Sequence, residues 1–318
     1  MTESANPRIG ISSCLVGKKV RFDSGHKRDA YLTDILGEFV DFVLVCPEVE
    51  VGMGVPREAV RLEGSPEAPR MVGNRTGEDW TSRMNRYARR RVCTPDLADL
   101  SGFILKNRSP SCGMERVKLY LKPNSVEKKG VGLFARALMD RFPHLPVEEE
   151  GRLGDAGLRD NFIVRVFAYH RLQQLFAGRF SRGPMVAFHT AHKYLMLSHS
   201  PKQYTALGRL VARIKRIPPA EFKEQYRALF MEGLKAKATV RKNVNVLQHI
   251  AGFFRDRVPT EDRRDAAASI EDYRLGLVPL VVPVTLIGHF VRKYDIEYIR
   301  DQVYLNPHPK ELMLRNHV

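Results

Sequence analysis

Apolar positions follow two different patterns along the chain. Up to about residue 150, short apolar runs at 9–11, 42–45 and 102–105 alternate with longer stretches at 31–39, 80–92 and 131–142 where apolar residues recur at helical spacing. Strand-sized runs separated by helix-sized segments are what a sheet with crossover helices requires. The first half therefore predicts an α/β N-terminal domain with a mainly parallel sheet. Beyond Glu148-Glu149-Glu150-Gly151 the pattern becomes long and amphipathic, at 161–176, 200–217, 219–236 and 240–257, which predicts an all-α helical domain. The acidic run reads as the linker, giving domains 1–150 and 151–318. No internal repeat or low-complexity tract interrupts either half. The longest apolar stretch, 275–291, has the length of a short membrane span. It is broken by Pro279, Pro283, Gly288 and His289, so it reads as buried helix in a soluble protein.

Composition narrows the class. With 318 residues, 43% hydrophobic and 28% charged, the chain can bury two ordinary cores. The start of the chain carries Glu3 and lacks a basic segment followed by an apolar run, so a cytoplasmic location is expected. Charge is uneven: residues 1–150 hold 24 Lys and Arg against 21 Asp and Glu, whereas residues 151–318 hold 28 against 15. The second half is thus a basic domain, of unknown role, that would concentrate anions, nucleic acid included. A solvated helical surface accounts for the same count.

Four cysteines without an export signal point to metal or catalytic thiols in place of a disulfide scaffold. Cys14, Cys46 and Cys112 each follow a predicted strand. In an open α/β sheet the carboxyl ends of the strands are where loops from different strands converge on a ligand. Ser12-Ser13-Cys14-Leu15-Val16-Gly17, Cys46-Pro47-Glu48 and Ser109-Pro110-Ser111-Cys112-Gly113 surround the thiols with hydroxyls, Gly and Pro, which permit close approach and fixed turns. Three thiolates leave one coordination position open, as in catalytic metal sites. Soft sulfur donors take zinc or an iron-sulfur cluster, and spacing does not separate these from structural cysteines. Cys93, after Arg89-Arg90-Arg91, reads as a packing residue.

The segments SSCLVG, CPEVEVGMGVPRE, ILKNRSPSCG and GVGLFARAL together resemble the thiouracil desulfidase family, once described only as a domain of unknown function. The second half, with YHRLQ, KYLMLSHSPKQY, NVLQH, PLVVPVTLIGHF and PHPKELMLRNHV, resembles a helical family often fused behind that domain. The first resemblance implies a [4Fe-4S] cluster held by Cys14, Cys46 and Cys112 with its fourth iron free for substrate sulfur. It also implies non-redox conversion of a thiolated nucleobase such as thiouracil to uracil and hydrogen sulfide, a small-molecule substrate with no membrane partner. Glu48 and Ser109, close to the implied cluster, are the candidates for proton transfer. A loop cap and a turn hydrogen bond are the alternatives for these two. Arg21, Asp23, Arg57 and Lys106 either orient the base or pair structurally. His189, His192 and His199 fall at helical spacing and read as satisfied or exposed histidines before they read as a metal site. Tyr194 and Tyr204 read as core. Two other classes remain open: a protein binding or acting on thiolated RNA or DNA through the basic domain, and a metal-thiolate sensor without turnover.

Overall fold

The computed structural model describes residues 6–122 and 125–318, and the chain divides between Gly154 and Asp155 into two compact units. The first unit is α/β and the second all-α, as the apolar pattern predicts.

In the first unit, β1 (Arg8–Ser12), β2 (Asp41–Val45), β5 (Gly102–Leu105) and β8 (Val147–Glu149) form an all-parallel sheet in the order β2-β1-β5-β8. Ile9 stands opposite Phe42, and Ile11 opposite Ile104. Ile9, Ile11, Phe103 and Ile104 are fully buried, as strands covered on both faces must be. Gly10 is required at the sheet centre because a Cβ there would lie 2.2 Å from the Phe103 ring. A second sheet, absent from the sequence expectation, contains β3 (Val60–Gly64), β4 (Pro69–Gly73), β6 (Val117–Lys122) and β7 (Ser125–Gly130) in the order β4-β3-β6-β7. Only its β3–β6 pairing is parallel. Its strands mix charged and apolar residues because part of the sheet faces water, so they lack the continuous apolar runs of the first sheet. Among the described residues the α-helices of the unit are α1 (Pro47–Glu50), α2 (Thr81–Arg91), α3 (Pro95–Ala98) and α4 (Leu133–Arg141). The expected helix at 31–39 is a π-turn at Tyr31–Ile35 running into a 3-10 turn at Leu36–Glu38.

The acidic run is not a linker. Glu148 and Glu149 belong to β8 and are only 5% and 6% exposed. Their carboxylates have partners: Glu149 accepts the Met114 N–H at 2.8 Å, Glu148 accepts Arg152 Nε at 2.6 Å, and Glu150 pairs with Lys106. Buried carboxylates so satisfied are tolerable in an edge strand.

Asp155 opens the second unit as the N-cap of α5 (Ala156–Ala177), accepting the Leu158 N–H at 2.8 Å. There follow α6 (Arg182–His199), α7 (Pro201–Ala212), α8 (Pro219–Lys235), α9 (Val240–Ala251), α10 (Thr260–Arg274), α11 (Val281–Lys293) and α12 (Glu297–Arg300). Phe222, Tyr226 and Phe230 stack along α8, and Tyr194 and Leu247 join them in the core. The stretch 275–291 is not one buried helix: Leu275 and Leu277 are 56% and 70% exposed in a turn with Gly276 at φ 75°, and α11 starts only at Val281. Among the described residues no helix is long and apolar enough to cross a membrane.

Candidate active site

Because β2, β1 and β5 are neighbours in that order, the loops at their carboxyl ends meet. Cys14 lies in the 3-10 turn Ser13–Val16 directly after β1, closed by Gly17 at φ 88°. Cys46 follows β2 as the N-cap of α1, and its N–H donates to Glu50 at 2.9 Å. Cys112 closes the loop after β5, where Gly113 donates to the Ser109 carbonyl at 2.8 Å. A Cβ at Gly113 would meet that carbonyl at 2.9 Å, so the turn needs glycine. Cys14, Cys46 and Cys112 line one cavity of about 260 Å³, together with Glu48, Ser109 and Ser111.

Glu48 is held on both oxygens. Oε2 accepts Arg57 Nε at 3.0 Å and Nη2 at 2.5 Å, and Oε1 accepts the Ser111 hydroxyl at 2.7 Å with the Ser109 hydroxyl at 3.4 Å. Ser109 Oγ also accepts the Cys112 and Ser111 N–H groups at 3.2 and 3.3 Å and lies 3.0 Å from Ser111 Oγ. Ser109 thus caps its turn while touching the carboxylate. Arg57 Nη1 donates to the Val20 and Gly54 carbonyls at 3.0 and 2.9 Å, tying together segments that follow β1 and β2. Ser111 carries more of the geometry than its reading as a flanking hydroxyl anticipated. The SPSC spacing, two hydroxyls just before a thiol, was the signal for it.

Arg21 and Lys106 also line the cavity. Arg21 pairs with Asp23 at 3.3 Å and lies over the Phe22 ring, whereas Lys106 pairs with Glu150. Asp23 is exposed and is not among the cavity residues.

Burial pushes the Cys14 thiol up to about 11, with the neighbouring Cys46 adding to it. Burial also raises Cys46, and raises Cys112 together with the nearby Glu48. Three thiols in one poorly solvated space resist losing their protons chiefly because burial strips water from the charged thiolate. A bound cationic centre reverses that balance.

Cys93 is not a packing residue: it is exposed beyond α2, in a groove with Arg89, Arg136 and Arg141, where the backbone leaves its side chain outside the core. The three helical histidines use Nδ1 locally, His192 on the Phe188 carbonyl at 2.8 Å, His199 on the Ala236 carbonyl at 2.7 Å and His189 near the Tyr226 hydroxyl at 3.3 Å. Among the described residues no three His, Cys, Asp or Glu groups are disposed to hold a metal ion.

Residues 9–150 match the family model described as 2-thiouracil desulfurase. The chain belongs to that family. Residues 193–309 match a second model, described as a protein of unknown function (DUF1722). The uncharacterized protein YbgA of Escherichia coli (strain K12) is 32% identical over 158 residues, 49% of this chain and 94% of that protein. The uncharacterized protein YbbK of Bacillus subtilis (strain 168) is 30% identical over 110 residues, 33% of this chain and 72% of that protein. A solved structure titled [4Fe-4S]-dependent thiouracil desulfidase TudS is 28% identical, covers 47% of this chain and 94% of its own, and has a TM-score of 0.38.

Proposed function

We propose that the first unit removes sulfur from a thiolated nucleobase such as thiouracil, with Cys14, Cys46 and Cys112 as ligands of a [4Fe-4S] cluster and Glu48 and Ser109 serving proton transfer. Water supplies the oxygen, so a thiocarbonyl and water become a carbonyl and hydrogen sulfide, and no electrons are exchanged. The observation that carries this reading is the gathering of three thiols and one arginine-held carboxylate around one cavity.

The donor set fits a polynuclear cluster. Three cysteine thiols lining one cavity are soft donors, the kind that iron-sulfur clusters and zinc both take. An iron-sulfur cluster, held mostly by cysteine thiolates, would be bound here by Cys14, Cys46 and Cys112. When bound by three cysteines, it supplies an iron with an open position, a soft acceptor for thiocarbonyl sulfur.

The chain's own residues do the rest. Arg57 Nε and Nη2 converge on Glu48 Oε2, leaving Oε1, held only by hydroxyls, to take a proton from water. Ser111 and Ser109 connect that oxygen to the Cys112 turn and give the proton a path along hydroxyls. Val20, Phe22 and Val60 give the cavity an apolar side against which a flat ring can lie.

Anaerobic reconstitution with iron and sulfide, followed by absorption spectroscopy and an assay for uracil and sulfide from 4-thiouracil, tests the reading. Ala variants of Cys14, Cys46 or Cys112 are expected to lose both the cluster absorbance and turnover, and C93A to keep both. Full turnover in the triple Ala variant would falsify the assignment. A second reading is favoured by the surplus of 28 Lys and Arg over 15 Asp and Glu in residues 151–318: the thiolated base is presented within RNA. It requires salt-dependent RNA binding and turnover of thiolated RNA without turnover of the free base.

A further inference from the structure

The second unit contains a cavity of its own, about 380 Å³, between α11 and the chain that follows α12. Its wall is apolar at Val284, Leu305 and Pro307, and three cations reach it: Arg292, Lys310 and Arg315. Among the described residues no Asp or Glu lines it. Among the described residues none of the three cations has an ion-pair partner within 4.0 Å. The nearby acid, Asp160, bonds His308 at 3.4 Å; burial works to raise its carboxyl, and the His308 bond and the charge of Arg315 lower it.

Arg315 is the informative residue. It is 9% exposed, its Nη1 donates to the Tyr304 carbonyl at 2.7 Å, and its guanidinium lies over the Tyr304 ring, but its Nε is buried with no hydrogen-bond partner. A buried guanidinium N–H without an acceptor is costly, and an anion in the cavity would supply one. Met313, in the left-handed region at φ 50°, joins two 3-10 turns and brings Lys310 and Arg315 to the same space. Arg292 folds back along α11, with its Nη1 3.6 Å from where a Cβ at Gly288 would stand.

We propose that this cavity binds a small phosphate monoester with a compact ring body, of the nucleoside monophosphate class. Its volume lies in the range of small-molecule sites. Against three cations a phosphate dianion leaves a charge of one uncompensated, which the nearby Asp160 offsets, whereas a single carboxylate would leave two. Arginine forks recognise phosphate oxygens in pairs, and the apolar wall receives the ring. The proposal does not depend on the desulfuration reading, because its residues all lie in the second unit.

Calorimetric titration of the full chain with uridine monophosphate, inorganic phosphate and uridine tests it, with the R292A/K310A double variant beside it. Both substituted residues are exposed, so the fold is retained, which far-ultraviolet circular dichroism checks. One uridine monophosphate is expected to bind, phosphate to compete, uridine to bind far more weakly, and the double variant to lose affinity by about tenfold or more. Affinity that survives the double substitution puts the ligand elsewhere in the chain and overturns the proposal. Equal binding of uridine overturns it, as does displacement by RNA oligonucleotides irrespective of a 5′-phosphate, since the cations would then serve a polymer backbone.

Discussion

Replacing Arg57 with Met isolates the interaction on which the Glu48 geometry rests. The side chains of Arg57 and Glu48 are 6% and 14% exposed, and two guanidinium N–H groups converge on Glu48 Oε2. Met preserves the apolar stem but leaves the carboxylate without a counter-charge and takes the guanidinium donor from the Val20 and Gly54 carbonyls. Removing one partner of a buried ion pair costs about 3–5 kcal/mol. The same substitution in an E48Q background should cost less, by a coupling of about 1–3 kcal/mol, because a neutral amide needs no cation. The assay is urea unfolding followed by tryptophan fluorescence. Trp80 is the chain's only tryptophan, so the signal reports the first unit and is blind to the helical one. That separation matters because a two-unit chain need not unfold in one step. If R57M shifts stability by less than about 1 kcal/mol, the pair behaves like a surface ion pair and does not hold the carboxylate in place. A coupling near zero refutes the same reasoning.

Three further outcomes are expected. E48Q should lower turnover by about a hundredfold or more while iron content stays at the wild-type level; a variant equally slow but lacking iron would make Glu48 a structural residue. Burial lowers His192 to about 3 and His199 to about 4, from 6.5. Below 6.5 the unfolded chain takes up protons that the native helical unit refuses, so stability is complete above that value. It falls as the pH drops from 6.5 towards 4, by up to about 1.4 kcal/mol per pH unit for each histidine. Urea unfolding by circular dichroism at pH 7.5 and 5 measures this, and equal midpoints contradict it. G10A should destabilise the first unit by about 1–3 kcal/mol through the clash with Phe103, with part of the loss recovered when Phe103 is shortened to Leu; an unshifted Trp80 unfolding curve would show that the sheet adjusts.

Local pattern was enough to read the strands that precede Cys14, Cys46 and Cys112, the helices of the second half, and the change of grammar between the two. Hydrophobic periodicity is a property of neighbouring residues, and β1 and β5 are apolar almost throughout because both faces of the sheet centre are covered. Partly exposed strands such as β6 and β7 carry no such signature. The acid run at 148–150 misled because composition records charge without recording partners. Met114, Arg152 and Lys106, which make those carboxylates acceptable inside a sheet, come from other segments. Cys93 misled for a related reason: whether a cysteine is buried depends on what packs over it.

The meeting of the thiols is a consequence of strand order. Residues 14, 46 and 112 become neighbours because β1 lies between β2 and β5, and that order arises from long-range pairing. The same holds for Glu48, whose bonds to Arg57, Ser109 and Ser111 join two loops at that edge. It holds also for Arg315, which reaches the cavity beside α11 only after the helical bundle has closed. Chemistry-bearing residue types are written locally, whereas their distances are set by contacts between segments far apart in the chain.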